Sequence, residues 1–248
     1  MKKQRLTKLM ALRGLCSRRE AEKYIARGLV RCEGTLVTEV GQQAALHSDI
    51  TLDQTDLQHF TVALHKPLGV VSNLPQRGEK EAKQLLTPEN RFDRGKPLTD
   101  VNQLHVVGRL DIHSKGLLLF SSDGRVAKHI IGPDSKVEKE YVLRFKHAVS
   151  KQAIQKLSLG LSLDGKPLKR ARVRQMDSHT LTVILREGRK RQIRRMCLLL
   201  NLQISSLKRV RIGTIQLGSL PVGRWRIVKP MSLTLGHKVE LPVTTPLP

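Results

Sequence analysis

The chain has 248 residues, with 45 Lys and Arg against 21 Asp and Glu and a net charge of +24, an excess that solubility does not require and that points to a polyanionic partner. Aromatic residues make up only 3%, which argues against recognition by rows of stacking rings and leaves phosphate contacts to dominate. Cys16, Cys32 and Cys197 form no CxxC, the nine His have no paired spacing, and no glycine-rich phosphate loop is present. No metal and no nucleotide cofactor are therefore expected. No apolar stretch approaches the ~20 residues that span a bilayer, and the expected setting is cytoplasmic, with the thiols reduced and no membrane partner.

The N-terminal 17 residues are basic and free of acid, as in a leader, but Arg13 and Gly14 interrupt the apolar run Leu9 to Leu15. They read instead as the first helix of a folded module over residues 1–48, with Leu6, Leu9, Met10 and Arg13 on one face and a stop at Gly14. Ser17-Arg18-Arg19-Glu20 is a capping box, which predicts a second helix from Arg18 to about Arg27, ended by Gly28. Leu29 to Cys32 and Thr35 to Val40 read as two short strands joined at Glu33-Gly34. Arg5, Lys8, Arg18, Arg19 and Lys23 give these helices a basic face, either solvated or bound to RNA; the second charge cluster further on favours RNA.

A polar link covers about Asp49 to Gln58. The second unit, residues 59–228, opens with the strand Thr61 to Leu64 and a turn at Lys66-Pro67-Leu68-Gly69. Strands are predicted at about 104–108, 116–121, 140–145, 171–176, 179–186 and 204–211, and helices at about 124–131, 150–158 and 189–200. Strand runs with few helices and no regular alternation predict an α+β domain with a mainly antiparallel sheet. Residues 88–104 read as a surface loop, and four Pro after Lys229 suggest a loose tail over 229–248.

Two features carry chemistry. Gly108-Arg109-Leu110-Asp111 precedes the apolar run Gly116 to Phe120; if it is extended, Arg109 and Asp111 project together while Leu110 points inward. A guanidinium so placed favours an ionised carboxylate, which can act as a nucleophile; the plainer reading is a structural ion pair at a turn. Between Arg186 and Arg211 stand nine Lys or Arg and one acid, Glu187. There Gly188 turns the chain into a helix whose inner face is Ile193, Met196, Cys197 and Leu200, flanked by Arg189, Arg191, Arg194 and Arg195. A solvated basic helix is the alternative.

The order helix, capped helix, short hairpin, with Cys16-Ser17-Arg18-Arg19-Glu20-Ala21, resembles the small RNA-binding module of ribosomal protein S-four. Lys66-Pro67-Leu68-Gly69, Gly108-Arg109-Leu110-Asp111, Lys139-Glu140-Tyr141 and Glu187 to Met196 together resemble the ordered motifs of the bacterial RsuA/RluB/RluF family of ribosomal RNA pseudouridine synthases, nearest the large-subunit RluF-type branch. The resemblance implies an isomerase needing no cofactor, which acts on ribosomal RNA, with transfer RNA a further possibility, and works as a monomer. It also implies Asp111 as nucleophile, Arg194 pairing with it across the pocket and Tyr141 against the uracil ring. Arg109 would prop the space of a flipped nucleotide, and Leu185 and Lys66 would belong to the pocket. Arg5, Lys8, Arg18, Arg19, Lys23, Arg189, Arg191 and Arg195 would hold RNA. The chain departs from the family pattern at Ser114-Lys115-Gly116, where Thr-Glu-Gly is usual, and at Ser122, where Asn is frequent; both departures are expected beside the site. A ribosome-assembly factor of the same fold that has lost activity is the competing reading, and a DNA-binding protein fits the charge but lacks a helix-turn-helix signal.

Overall fold

The computed structural model describes residues 3–55, 57–95, 98 and 100–228; the expected tail over 229–248 lies outside them. In the N-terminal module, α1 (Leu6–Leu12) and α2 (Arg18–Ala26) bury Leu6, Leu9, Met10, Ala21, Tyr24 and Ile25 in one cluster. The capping box forms as its residues require: the Ser17 hydroxyl accepts from Glu20 N at 3.2 Å and a Glu20 carboxylate oxygen accepts from Ser17 N at 2.6 Å. Arg13 differs from its expected place. It is exposed and donates to the carbonyls of Ser48 and Leu46, tying the helix end to the chain after the hairpin.

The strands Val30–Cys32 and Thr35–Leu36 pair through the Glu33-Gly34 turn, where both residues have positive φ, as a tight hairpin needs. The stretch read as a polar link begins with a strand, Ile50–Leu52, that pairs with Val30–Cys32, while Gln43–Ala45 pairs with Lys3–Arg5. Two or three residues per strand are too few for an alternating pattern to stand out, because what fixes them is the pairing partner.

The large sheet contains β1 (Thr61–Lys66), β2 (His105–Val107), β3 (Lys115–Ser121), β4 (Lys139–Phe145), β5 (Arg172–Asp177), β6 (Thr180–Leu185), β7 (Ile204–Ile212), β8 (Ile215–Gln216) and β9 (Trp225–Val228). Its order is β5-β6-β4-β7-β3-β1-β9, with β8 on β7 and β2 on β3. It is antiparallel except where β3 runs parallel to β7, so the α+β expectation holds. That contact is short. Lys115 and Gly116 pair with Lys208 and Arg209, after which β3 leaves β7 and pairs with β2 from Leu119 to Ser121. The sheet forks at this point, and the connection from β2 to β3, residues 108–114, emerges at the fork. Gly116 is needed there: a Cβ would lie 2.2 Å from the Arg209 carbonyl oxygen.

Three helices cover the sheet: α3 (Gly124–Ile131), α4 (Lys151–Leu159) and α5 (Gln192–Leu199). The last starts three residues later than expected because Arg191 is left-handed, φ 51°, and cannot join a helix. The two units meet at helix N-termini. The second oxygen of Glu20 accepts from Gly124 N at 2.9 Å, and a Cβ on Gly124 would lie 2.3 Å from the Ser17 Cβ, so the approach requires glycine.

Candidate active site

A cleft of about 820 Å³ opens at the fork, and Asp111, Tyr141, Leu185, Arg194, Leu207 and Arg209 are among the residues on its wall. Its sides come from different parts of the sheet. Tyr141 on β4 packs against the apolar clusters of both halves, so its ring bridges them while staying half-buried. Leu185, at the end of β6, is at once core and wall, being 2% exposed.

Asp111 sits in the 108–114 connection, which is a loop and not the extended strand that the sequence suggested. Leu110 anchors it. Its side chain is buried, its N–H donates to the Ser72 hydroxyl oxygen at 2.8 Å, and that hydroxyl donates back to the Leu110 carbonyl at 2.7 Å. Downstream, Gly69 N donates to the Ile112 carbonyl at 3.0 Å and Ser114 N to the Asp111 carbonyl at 2.9 Å, closing a turn. Asp111 is therefore half-buried on a backbone fixed at both ends, whereas Arg109 is exposed. Among the described residues no ion pair joins Arg109 to Asp111, so the plain reading of Arg-x-Asp as an ion pair at a turn does not describe this loop.

Arg194 reaches the same loop from α5. Its Nη2 donates to the His113 carbonyl and, at 3.3 Å, to the Ser114 hydroxyl. It thus grips the turn after Asp111 and forms no salt bridge with the carboxylate itself, although the two charges interact: burial and Arg191 lower the Arg194 pKa, and Asp111 opposes this. Lys66 lies beneath, fully buried, its ammonium donating to the carbonyls of Pro67 and Val70 at 2.8 and 2.7 Å. Burial pulls its pKa down to about 8, Asp111 acts in the opposite sense, and Arg209 lowers it further. Lys66 is therefore a support behind the loop and not part of the cleft wall.

The remaining predicted residues divide. Arg191 stands exposed on the cleft wall, and Arg189 lines it as well. Arg189 also clasps the neighbouring hairpin, donating to the carbonyls of Lys166 and Pro167. Arg195 points elsewhere: it makes a two-pronged pair with Asp164, an ordinary structural role. Arg5, Arg18, Arg19 and Lys23 are exposed and Lys8 half-buried on the N-terminal module, away from the cleft. Of the departures from the family pattern, Ser114 touches Arg194 and the cleft. Lys115 lines a groove on the other face of the sheet, and Ser122 accepts from Phe60 N at 2.9 Å, so neither is placed to contact a ligand in the cleft.

Two residues that matter here were not singled out from the sequence. Arg209, 4% exposed, bridges the fork: its Nε donates to the Leu117 carbonyl at 2.8 Å, at the residue where β3 has left β7 and not yet met β2, and its Nη1 donates to the Arg109 carbonyl at 3.3 Å. Its position in β7, between Lys208 and Val210, signalled only that it shares a face with Leu207. Ser72 gave no signal at all. We expect Ser72→Ala to strand a buried N–H and carbonyl at Leu110, lowering unfolding free energy by about 2–3 kcal/mol. Turnover should fall about tenfold or more through the rate and not through substrate affinity; denaturant titration with kcat and KM measures both, and a KM-only effect would contradict the anchoring role.

Residues 60–199 match the RNA pseudouridylate synthase family, and residues 4–49 match the S4 domain. The chain is 34% identical over 232 residues to the ribosomal large subunit pseudouridine synthase B of Pseudomonas aeruginosa, covering 90% of this chain and 59% of that protein. It is 29% identical to the dual-specificity RNA pseudouridine synthase RluF of Escherichia coli K12, covering 90% of this chain and 74% of that one. An RNA pseudouridine synthase of Borreliella burgdorferi is 31% identical, with 92% and 91% covered. A solved structure of a pseudouridylate synthase superposes with a TM-score of 0.66 at 26% identity, covering 92% of this chain and 97% of that one. The chain thus spans somewhat over half the length of the Pseudomonas relative.

Proposed function

Because this chain belongs to the RNA pseudouridylate synthase family and carries an S4 domain in front, we propose that it isomerises uridine in ribosomal RNA to pseudouridine, with large-subunit RNA the preferred target. The observation that carries this is the carboxylate of Asp111, presented into a cleft whose other walls are Tyr141, Leu185 and Arg194. The reaction breaks the bond from ribose C1′ to uracil N1, turns the base and joins C1′ to C5. N1 gains a proton and C5 loses one, so atoms balance without a redox partner.

In this reading Asp111 attacks as the nucleophile, Tyr141 lies against the uracil ring, and Leu185 closes the apolar side of the pocket. Arg194 holds the turn that aims Asp111, and Arg191 and Arg189 face the substrate backbone. The exposed cations of residues 4–49 dock RNA through phosphate contacts. We take residues 59–228 as the catalytic unit, since β9 at Trp225–Val228 completes the sheet edge next to β1. The enzyme would act as a monomer in the cytoplasm; among the described residues no helix is long and apolar enough to cross a membrane. A relative that has lost activity is not favoured, because Asp111, Tyr141 and Arg194 are all present.

Incubating the protein with large- and small-subunit ribosomal RNA transcripts, then digesting to nucleosides and separating them, tests the reading. Pseudouridine should appear in the large-subunit RNA; its appearance in neither would contradict the proposal. In this reading Arg109, exposed two residues before Asp111, fills the gap left by a flipped nucleotide. Arg109→Ala should slow turnover of a base-paired target strongly and of an unpaired one less, since flipping costs a few kcal/mol only when the base is stacked. Equal losses on both RNAs would remove Arg109 from that role.

A further inference from the structure

The half-sheet β5-β6-β4-β7 has helices on one face only. Leu143, Phe145, Val183 and Leu207 point into a cluster with Leu157 of α4 and Met196 of α5. The alternate residues Val142, Arg144, Thr182, Ile184, Ser206, Lys208 and Val210 face the other way, all half-buried or exposed and none in a core cluster. A groove of about 290 Å³ runs over this face between Lys115, Val142, Arg144, Ser206, Lys208 and Val210.

The ladder puts cations side by side there. Register runs Arg174, Thr182, Val142, Lys208, Lys115 straight across five strands, with Arg144 one step along β4 and opposite Ser206. Lys208 and Lys115 are directly opposed like charges, an arrangement that destabilises a sheet unless something neutralises it. Among the described residues the side chains of Lys115, Arg144, Arg174 and Lys208 make no hydrogen bond or ion pair. Their charge is felt nearby: His65, already lowered in pKa by burial, is lowered further by Lys208 and Lys115, against its bond to the Leu220 carbonyl.

We propose that this face is a second RNA-binding surface, on the side of the sheet away from the catalytic cleft, that holds the phosphate backbone of RNA flanking the target site. It rests on the reading that the substrate is RNA. Charge selects the occupant. Residues 229–248 carry two Lys and one Glu, so the chain's own end does not complement four unpaired cations. The row is also long enough: four strand spacings cover about 19 Å, which matches on the order of five phosphates along a duplex strand. Thr182 and Ser206 add hydroxyl donors between the cations, and no aromatic ring stands on the row, so binding here reads backbone and not base.

The test is the full-length double variant Arg144→Gln with Lys208→Gln, both solvent-facing, compared with Lys151→Gln plus Lys156→Gln on the exposed side of α4. The two probes are a long large-subunit RNA fragment that the wild type converts and a stem-loop trimmed around the converted uridine. On the long RNA the slope of log Kd against log salt should fall by about 1.4–1.8, two phosphate contacts at roughly 0.7–0.9 each. The trimmed stem-loop should bind as before, the single-turnover rate at saturating enzyme should be unchanged, and the α4 control should keep the wild-type slope. An unchanged slope would overturn the inference and leave the face to an acidic protein partner, as would an equal loss in the control. A wild type that converts no RNA would instead contradict the functional reading itself, so the two failures are distinct.

Discussion

Asp111→Asn is expected to lower the single-turnover rate by at least about a thousandfold while RNA affinity stays within a few-fold of wild type. The amide has the shape of the carboxylate, and the loop that carries it is fixed through groups the substitution leaves alone: the Leu110 side chain, the Ser72 hydroxyl and the backbone bonds of Ile112 and Ser114. The variant should therefore fold and melt as the wild type does. What it loses is the carboxylate oxygen proposed as the nucleophile. Rate measurement with enzyme in excess, beside a filter-binding isotherm, checks both halves; a residual rate above a tenth of wild type would take the nucleophile's role from Asp111.

Arg194→Ala should cost about a hundredfold or more in rate, about 2.7 kcal/mol of barrier. The guanidinium ties α5 to the turn after Asp111 through the His113 carbonyl and Ser114, and it carries a half-buried positive charge that interacts with the carboxylate. Removing it frees the turn and takes a cation from beside Asp111 in one step. Arg194→Lys separates the two contributions: it keeps the charge but cannot reproduce the planar fork, so it should recover part of the rate. A lysine variant no better than alanine would assign the whole effect to the geometry of the grip. An alanine variant with normal kcat and raised KM would move Arg194 from the aiming of Asp111 to substrate binding.

Local signals in the sequence carried much of this architecture. The capping box at Ser17 and Glu20 is a four-residue arrangement that names its own helix start, and β3, β4 and β6 are long enough for apolar residues to declare them. The ordered motifs likewise contain Asp111, Tyr141 and Arg194, which line one cleft. What escaped depends on partners far along the chain. An extended Arg109-Leu110-Asp111 would turn both charged side chains to one face, yet the loop's shape comes from Ser72, 38 residues earlier, and from Arg209, which bonds the Arg109 carbonyl 100 residues away. Arg195 looked like an RNA contact because it stands in a run of cations; Asp164, 31 residues before it, claims it. Arg191 in the left-handed region, which delays α5, leaves no trace in composition.

The forked sheet explains how one short loop brings Asp111 to the cleft. Where β3 changes partners from β7 to β2, the ladder leaves an opening, and residues 108–114 and the Arg209 side chain occupy it. Asp111 is thus displayed between two halves of a rigid sheet, which suits a group that must be held in place before the substrate arrives.

Release of tritium from large-subunit ribosomal RNA labelled at uracil C5 tests the central claim most directly, because reattaching the base through that carbon expels the hydrogen it carries. The wild type is predicted to release label to a plateau set by the number of target uridines in the RNA, and Asp111→Asn to release none above background over the same period. Release by the variant at the wild-type rate, or no release by the wild type, would contradict the account.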